Sequence, residues 1–287
     1  VNTAIASMLG SAVITYLYYG YRLMQLPVGM FGVAIATASF PMIAEQIAKK
    51  DIYETRKTIS FSLRMTVFMT VPAMFGLIAL SLPINRLLFQ HGRFTAEDVA
   101  ATSLANIFYC LGITAYSGSK ILNQVFFAMH DSKIPMKFSI AAMVSHIGMS
   151  LFLIKFTTLG FMGLALSSSI SGMLNFFLLL AAARKRFNGI NGNEIMPAFV
   201  KVTLISAAMG AACYFFSWFW ESSFALTSLK MKIAEVGLGI LLGLAVYIAG
   251  SIAFKVEELR LIWSLVRRKL GPAEVSREEI DESFKET

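Results

Sequence analysis

The chain has 287 residues, of which 56% are hydrophobic and only 15% charged, with a mean hydropathy of +0.67. Soluble domains average about 45–50% apolar and 25% charged residues, so the composition excludes a soluble globular protein and reads as an all-α, polytopic membrane helical bundle. A net charge of +8 would raise nucleic acid as a partner for a soluble chain, but in a membrane chain it reports which loops face the cytoplasm.

In chain order, Val1 to Leu9 is apolar but only about two helical turns long, too short to span. With no basic n-region and no cleavage site it is not a signal peptide, and the reading expects the chain to be the later part of a longer protein. Ala12 to about Ala44 forms one long helix or a kinked pair, interrupted by Pro27 and Pro41. Its length, about 33 residues, exceeds a straight crossing, which predicts a bent or tilted helix lining a cavity, with Gly29, Gly32 and Ala34 as a small-residue packing face. Glu45 to Lys57 is a polar, basic connection.

Ser60 to Pro83 is the next span, with a kink expected at Pro72. Asn85 to Asp98 reads as a short amphipathic excursion, closed by Thr95 as an N-cap with Glu97 and Asp98 in the first turn of a new helix. That helix runs through Cys110 and Gly112 toward Met129. Pro135 suits the first turn of the following span, Met136 to Phe156. Gly160 to Ala183, Ala198 to Trp220 and Met231 to Phe254 complete a count of seven full spans and one partial one. Three stretches follow: residues 1–187, residues 188–255 with the last two spans, and residues 256–287 as a tail. In the tail, Leu259, Ile262, Trp263, Val266 and Leu270 follow helical spacing among basic residues. This predicts a helix lying on the inner membrane surface or docked on the protein's own loops, then disorder after Pro272.

Alternating these spans sorts the 25 Lys and Arg unevenly. All but Arg22, Arg86, Arg93, Lys155, Lys230 and Lys232 fall on one side, which predicts a cytoplasmic C-terminus and accounts for the basic balance without nucleic acid.

Arg22 is the exception that matters, being alone in the apolar run from Val1 to Ala44. In a helix beginning at Ala12 it lies ten residues in, roughly 15 Å down the axis and near the middle of a hydrocarbon layer about 30 Å thick. An arginine there costs at least about 2.5–3.5 kcal/mol and is kept when it faces water, a partner or an anionic ligand. If the helix instead breaks at Pro27, Arg22 sits near a surface and snorkels. Tyr16, Tyr18, Tyr19 and Tyr21 surround it. They are either an interface belt or hydroxyls that, beside the arginine, hydrogen-bond an anionic, polyhydroxylated headgroup whose tails stay in lipid.

No catalytic arrangement emerges. His91, His130 and His146 fall on separate segments without acidic or cysteine partners at ligand spacing, so neither metal nor cofactor is expected and the chain does not read as an enzyme. Cys110 and Cys213 lie in apolar spans as small hydrophobes. His146, Ser150, Ser167 to Ser169 and Asn175 read first as interhelical hydrogen-bonding residues.

The run Tyr18-Tyr19-Gly20-Tyr21-Arg22-Leu23-Met24-Gln25-Leu26-Pro27, followed by Gly29, Gly32-Val33-Ala34 and Pro41, resembles the eighth helix of the MurJ (MviN) lipid II flippases. Leu88-Phe89-Gln90-His91-Gly92-Arg93-Phe94-Thr95 is similar to that family's LFQxGxF segment, and Asp131 to Lys137 supplies a third match in the same order. The resemblance implies the C-terminal lobe of a multidrug/oligosaccharidyl-lipid/polysaccharide exporter fold, with two extra C-terminal helices that form a groove for a lipid tail. It implies movement of lipid II across the bacterial cytoplasmic membrane by alternating access, jointly with an N-terminal lobe outside this chain. By resemblance Arg22 engages the pyrophosphate and Thr15 is a cavity hydroxyl, with Tyr18, Tyr19 and Gln25 beside them.

The match has departures. Tyr21 and Gln25 stand where relatives often carry acids or amides, which weighs against a salt bridge to Arg22. Some relatives bind sodium through Asn and Asp; here Asn2 persists, but His146 and Ser150 occupy the helix-eleven positions, so no sodium site is expected. The competing readings are a related exporter of other polyprenyl-linked saccharides or drugs, a membrane-embedded lipid-processing enzyme, and a structural scaffold that would tolerate Arg22→Leu.

Overall fold

A computed structural model describes residues 2–223 and 228–260. Residues 261–270 of the expected tail helix lie outside them, as does the side chain of Asn2. The described chain is helical, in the order α1 (Asn2–Leu9), α2 (Ser11–Pro27), a π-helical segment (Val28–Val33), α3 (Ala34–Ala48), α4 (Ile52–Ala79), α5 (Ser81–Phe89), α6 (Ala96–Cys110), α7 (Ile113–Ala128), α8 (Lys133–Phe156), α9 (Met162–Arg186), α10 (Gly192–Ser223) and α11 (Leu229–Ala253). Among the described residues six helices are long and apolar enough to cross a membrane, and α6–α7, bent by 43°, makes a seventh if it is one span. The chain is a polytopic membrane helical bundle.

The first long span runs from Ser11 to Ala48. Pro27 does not end it. The missing N–H is absorbed by the six-residue π segment that follows, in which the hydrogen-bond ladder shifts to i→i+5. Pro72, where a kink is expected, lies inside an unbroken α4. The stretch Ser81–Phe89, read from sequence partly as span and partly as excursion, is a separate short helix.

Two glycines let α2 and the π segment sit close to α6 and α7. A Cβ on Gly20 would come within 3.0 Å of the Asn106 backbone nitrogen, and one on Gly32 would lie 2.7 Å from Ser117 Cβ. Asn106 uses the first approach to donate from Nδ2 to the Gly20 carbonyl at 3.0 Å, a hydrogen bond made inside the bundle where water cannot substitute. Three apolar cores result. One lies around Ile43, Ile59, Leu122 and Phe126, a second around Leu17, Met24, Tyr109 and Leu164, and a third joins α4 to α10 and α11 through Phe68, Ile205, Met209 and Tyr247.

Thr95 caps α6 as expected, in a full capping box. Asp98 N–H donates to Thr95 Oγ1 at 3.3 Å and the Thr95 N–H donates to Asp98 Oδ2 at 2.7 Å.

The glycine contacts differ enough to be tested against each other. Gly32→Ala forces a methyl into Ser117 and is expected to destabilise by about 1–3 kcal/mol, as overpacking does. Gly29→Ala, with nothing within 4 Å of the added carbon, is expected to be neutral or slightly stabilising. Thermal melting in detergent compares the two.

Candidate functional site

Helical geometry divides the four tyrosines around Arg22 into two pairs. Tyr16 and Tyr19, three residues apart, turn to one flank of α2. There Tyr19 stacks on Phe89 with ring centroids 4.3 Å apart and planes within 7°, Phe94 meets Tyr19 edge-on at 5.8 Å, and the Tyr16 hydroxyl donates to Asp98 Oδ1. The LFQxGxF segment is therefore the bed on which this flank lies, with Gly92 at φ 62° making the turn between Phe89 and Phe94. Of the residues expected at the site, Tyr19 is the one whose ring is taken up in packing.

Tyr18 and Tyr21, also three apart, turn to the other flank. Both line a cavity of about 640 Å³ together with Thr3, Ala6, Ile14, Leu17, Tyr109, Tyr116, His146 and Ser168. Arg22 is exposed beside this wall. Its guanidinium carbon lies 4.8 Å from the centre of the Tyr18 ring and Nη2 donates to the Tyr18 hydroxyl, so a cavity-lining ring carries the charge. Gln25 Nε2 donates to the Tyr21 hydroxyl one turn on. Thr15 is half-buried, seven residues before Arg22 and so on nearly the same stripe of α2. The structure thus places Arg22, Tyr18, Gln25 and Thr15 along one side of α2.

The level of Arg22 follows from its neighbours. Tyr21 meets Tyr109 edge-on at 5.5 Å, and Tyr109 stands roughly 20 Å from the start of α6 and roughly 28 Å from the end of α7 at 1.5 Å per residue. Arg22 is therefore well inside the length of the bundle and away from both ends. Lys120, assigned from sequence to the cytoplasmic side, stands inside α7 about two turns before its end.

Several intramembrane polar residues do bridge helices. Ser169 Oγ donates to the Phe108 carbonyl at 2.7 Å, and the Ser150 and Ser167 hydroxyls are 2.6 Å apart. Sequence reading had no signal for two further clusters, because their members are far apart along the chain. At one end Arg86 holds Glu221 at 2.6 Å and the fully buried Glu235 at 3.8 Å, and Ser217 donates to Glu235 at 2.8 Å. At the other, Arg64 holds Glu257 at 3.2 Å and the buried Glu258 at 3.4 Å. Both fasten the α10–α11 arm to α4 and α5.

The family described as "Lipid II flippase MurJ" matches residues 1–235. The chain belongs to the MurJ lipid II flippase family. A relative from Haemophilus influenzae, "Probable lipid II flippase MurJ", is 35% identical over 221 residues, covering 75% of this chain and 43% of the relative. A Rhizobium meliloti relative of the same description is 31% identical over 280 residues, covering 96% and 51%. A solved structure, "Lipid II flippase MurJ, inward closed conformation", superposes with a TM-score of 0.69 at 28% identity over 84% of this chain and 47% of that one. A multidrug/oligosaccharidyl-lipid/polysaccharide superfamily transporter from Pyrococcus furiosus shares the fold at a TM-score of 0.54 and 15% identity. The chain spans about half the length of the MurJ relatives it matches.

The MurJ family match ends at residue 235, within the arm that the two arginines fasten. Arg86→Met leaves the buried Glu235 carboxylate without its cation and is expected to cost about 3–5 kcal/mol. Lys57→Met, which loses only an exposed pair with Glu54, should change stability by less than about 1 kcal/mol. Unfolding of the two variants in detergent checks the contrast.

Proposed function

We propose that this chain is the C-terminal half of a flippase that carries lipid II, a polyprenyl-diphosphate-linked peptidoglycan precursor, between the leaflets of the bacterial inner membrane, and that it is not an enzyme. The observation that carries the reading is the exposed guanidinium of Arg22, away from both ends of the bundle and laid on a tyrosine that lines a cavity of about 640 Å³. A cation so placed is unfavourable against acyl chains and favourable against a diphosphate in a wet, low-dielectric cleft.

Residues 1–187 act as the transport lobe, with residues 188–255 as an added arm and 256–287 as a cytoplasmic tail. The exposed side of α2 that bears Thr15, Tyr18, Arg22 and Gln25 faces an N-terminal lobe supplied by the rest of the protein, and the headgroup sits between the two. The diphosphate pairs with Arg22, and the hydroxyls and the amide of Tyr18, Thr15 and Gln25 hydrogen-bond its saccharide. The tails remain in lipid. Alternation of access uses the π segment after Pro27, where the ladder is already shifted and bending is least costly. A scaffold role is disfavoured by the same arginine, which stability alone would replace with leucine.

In the full-length protein Arg22→Ala is expected to abolish growth support in flippase-depleted cells, while Lys49→Ala, at the exposed end of the same span, supports growth normally. Equal growth from both would refute the role given to Arg22.

A further inference from the structure

At one end of the arm, the start of α10 and the chain leaving α11 meet α4 around a cavity of about 360 Å³. Six charged side chains line it: Arg64 of α4, Glu194 and Lys201 of α10, and Lys255, Glu257 and Glu258 beyond α11. One guanidinium serves all three carboxylates. Arg64 lies 3.2 Å from Glu257, 3.4 Å from Glu258 and 4.0 Å from Glu194, each farther than the about 2.7–2.9 Å of a close charge-assisted hydrogen bond. A carboxylate has about four lone-pair sites, so these keep acceptor positions to spare. The balancing charges are Lys201 and Lys255. Both are exposed, and among the described residues neither forms an ion pair.

Lys255 stands where a lysine is least expected. Its φ of 50° is left-handed. Its N–H donates to the Ile252 carbonyl at 3.1 Å, and the Val256 N–H donates to the Ser251 carbonyl at 2.9 Å. These are the paired bonds of a Schellman cap, whose left-handed position glycine usually fills. The cap turns the chain so that Val256 is buried and Glu257 and Glu258 return to Arg64. Glycine makes that turn with less strain, so capping alone does not account for a lysine there, whereas a cation at the edge of the cavity does.

Apolar surface leads away from the cavity along both helices. Leu204 lies one turn on from Lys201, and Ile252 and Ile248 lie one and two turns before Lys255, all three exposed and, by their spacing, on the sides that carry the lysines. Both helices are long and apolar enough to cross a membrane, so charge sits above a surface suited to acyl chains.

We propose that this cavity binds the headgroup of phosphatidylethanolamine, a zwitterionic phospholipid with a primary ammonium. Its phosphate lies against Lys201 and Lys255, its ammonium donates to the exposed carboxylates of Glu194 and Glu257, and its acyl chains follow Leu204, Ile252 and Ile248. Phosphatidylglycerol satisfies the lysines but brings no cation to the carboxylates. Phosphatidylcholine brings a cation that has no N–H to donate. The site is separate from the cavity beside Arg22 and is independent of the function proposed for it.

The test titrates the purified full-length protein in detergent with these three lipids, carrying identical acyl chains, and counts bound lipid by native mass spectrometry. Phosphatidylethanolamine should bind at several-fold lower concentration than either of the others. Lys255→Gly suits the left-handed turn and should melt no lower than the unmodified protein, so it removes charge without removing the cap. Combined with Lys201→Ala it should weaken phosphatidylethanolamine binding about fivefold or more. Glu194→Gln with Glu257→Gln should narrow the preference over phosphatidylglycerol. Three lipids bound alike, phosphatidylglycerol bound more tightly, or either double variant behaving as the unmodified protein does overturns the proposal. The order of the three lipids on the unmodified protein decides the matter if a variant does not fold.

Discussion

A guanidinium held inside the thickness of a membrane bundle is the constraint that organises this structure. Removing it from water costs several kcal/mol, and the chain recovers part of that by laying it on Tyr18, ring and hydroxyl together. The remainder needs water or an anion, and both require space. The cavity bordered by Tyr18, Tyr21, Tyr109, Tyr116 and His146 lies beside it and is the space we propose. A tyrosine lining suits the proposed headgroup, because hydroxyls can hydrogen-bond it while the rings tolerate the apolar surroundings.

Everything around α2 serves to hold that side chain at its level. On one flank Tyr16 and Tyr19 are fixed by Asp98, Phe89 and Phe94, so α2 cannot rotate without breaking an aromatic stack and a charge-assisted hydrogen bond. On the buried side Gly20 accepts from Asn106 and Gly32 packs on Ser117. Between Gly20 and Gly32 lie Pro27 and the start of the π segment, where the ladder changes register. The arm formed by α10 and α11 is fastened at both ends through Arg86 and Arg64. Carboxylates as buried as Glu235 and Glu258 are tolerated only with their cations in place.

Much of this was legible in the residues. Length and hydropathy located the spans, because a run of some twenty apolar residues suits a bilayer, although α4 begins eight residues before the expected Ser60 and α10 six before Ala198. Thr95 announced its cap because the chemistry of a capping box is local. The lone Arg22 marked a candidate site for the same reason that makes it costly. What stayed hidden depends on contacts between distant segments. Helical spacing splits Tyr16 and Tyr19 from Tyr18 and Tyr21, but it does not say which pair meets Phe89 and which a cavity. The partners of Arg86 and Arg64, some 130 to 190 positions away, leave no trace in periodicity. Pro27 and Pro72 read alike in sequence, yet one precedes a π segment and the other lies in unbroken helix, since neighbouring helices decide how a lost hydrogen bond is absorbed. The resemblance to MurJ proteins supplied the chemistry of the proposed ligand, which an arginine and its tyrosines alone do not specify.

Solvent access at position 22 bears on all of this most directly. Arg22→Cys, with Leu23→Cys as its buried neighbour and the buried native Cys110 and Cys213 as background, can be treated in membranes with a charged, bilayer-impermeant thiol reagent. Modification of Arg22→Cys, with Leu23→Cys unreactive, is the result this account predicts. An Arg22→Cys that reacts only with lipid-soluble reagents would place the side chain against acyl chains and contradict it.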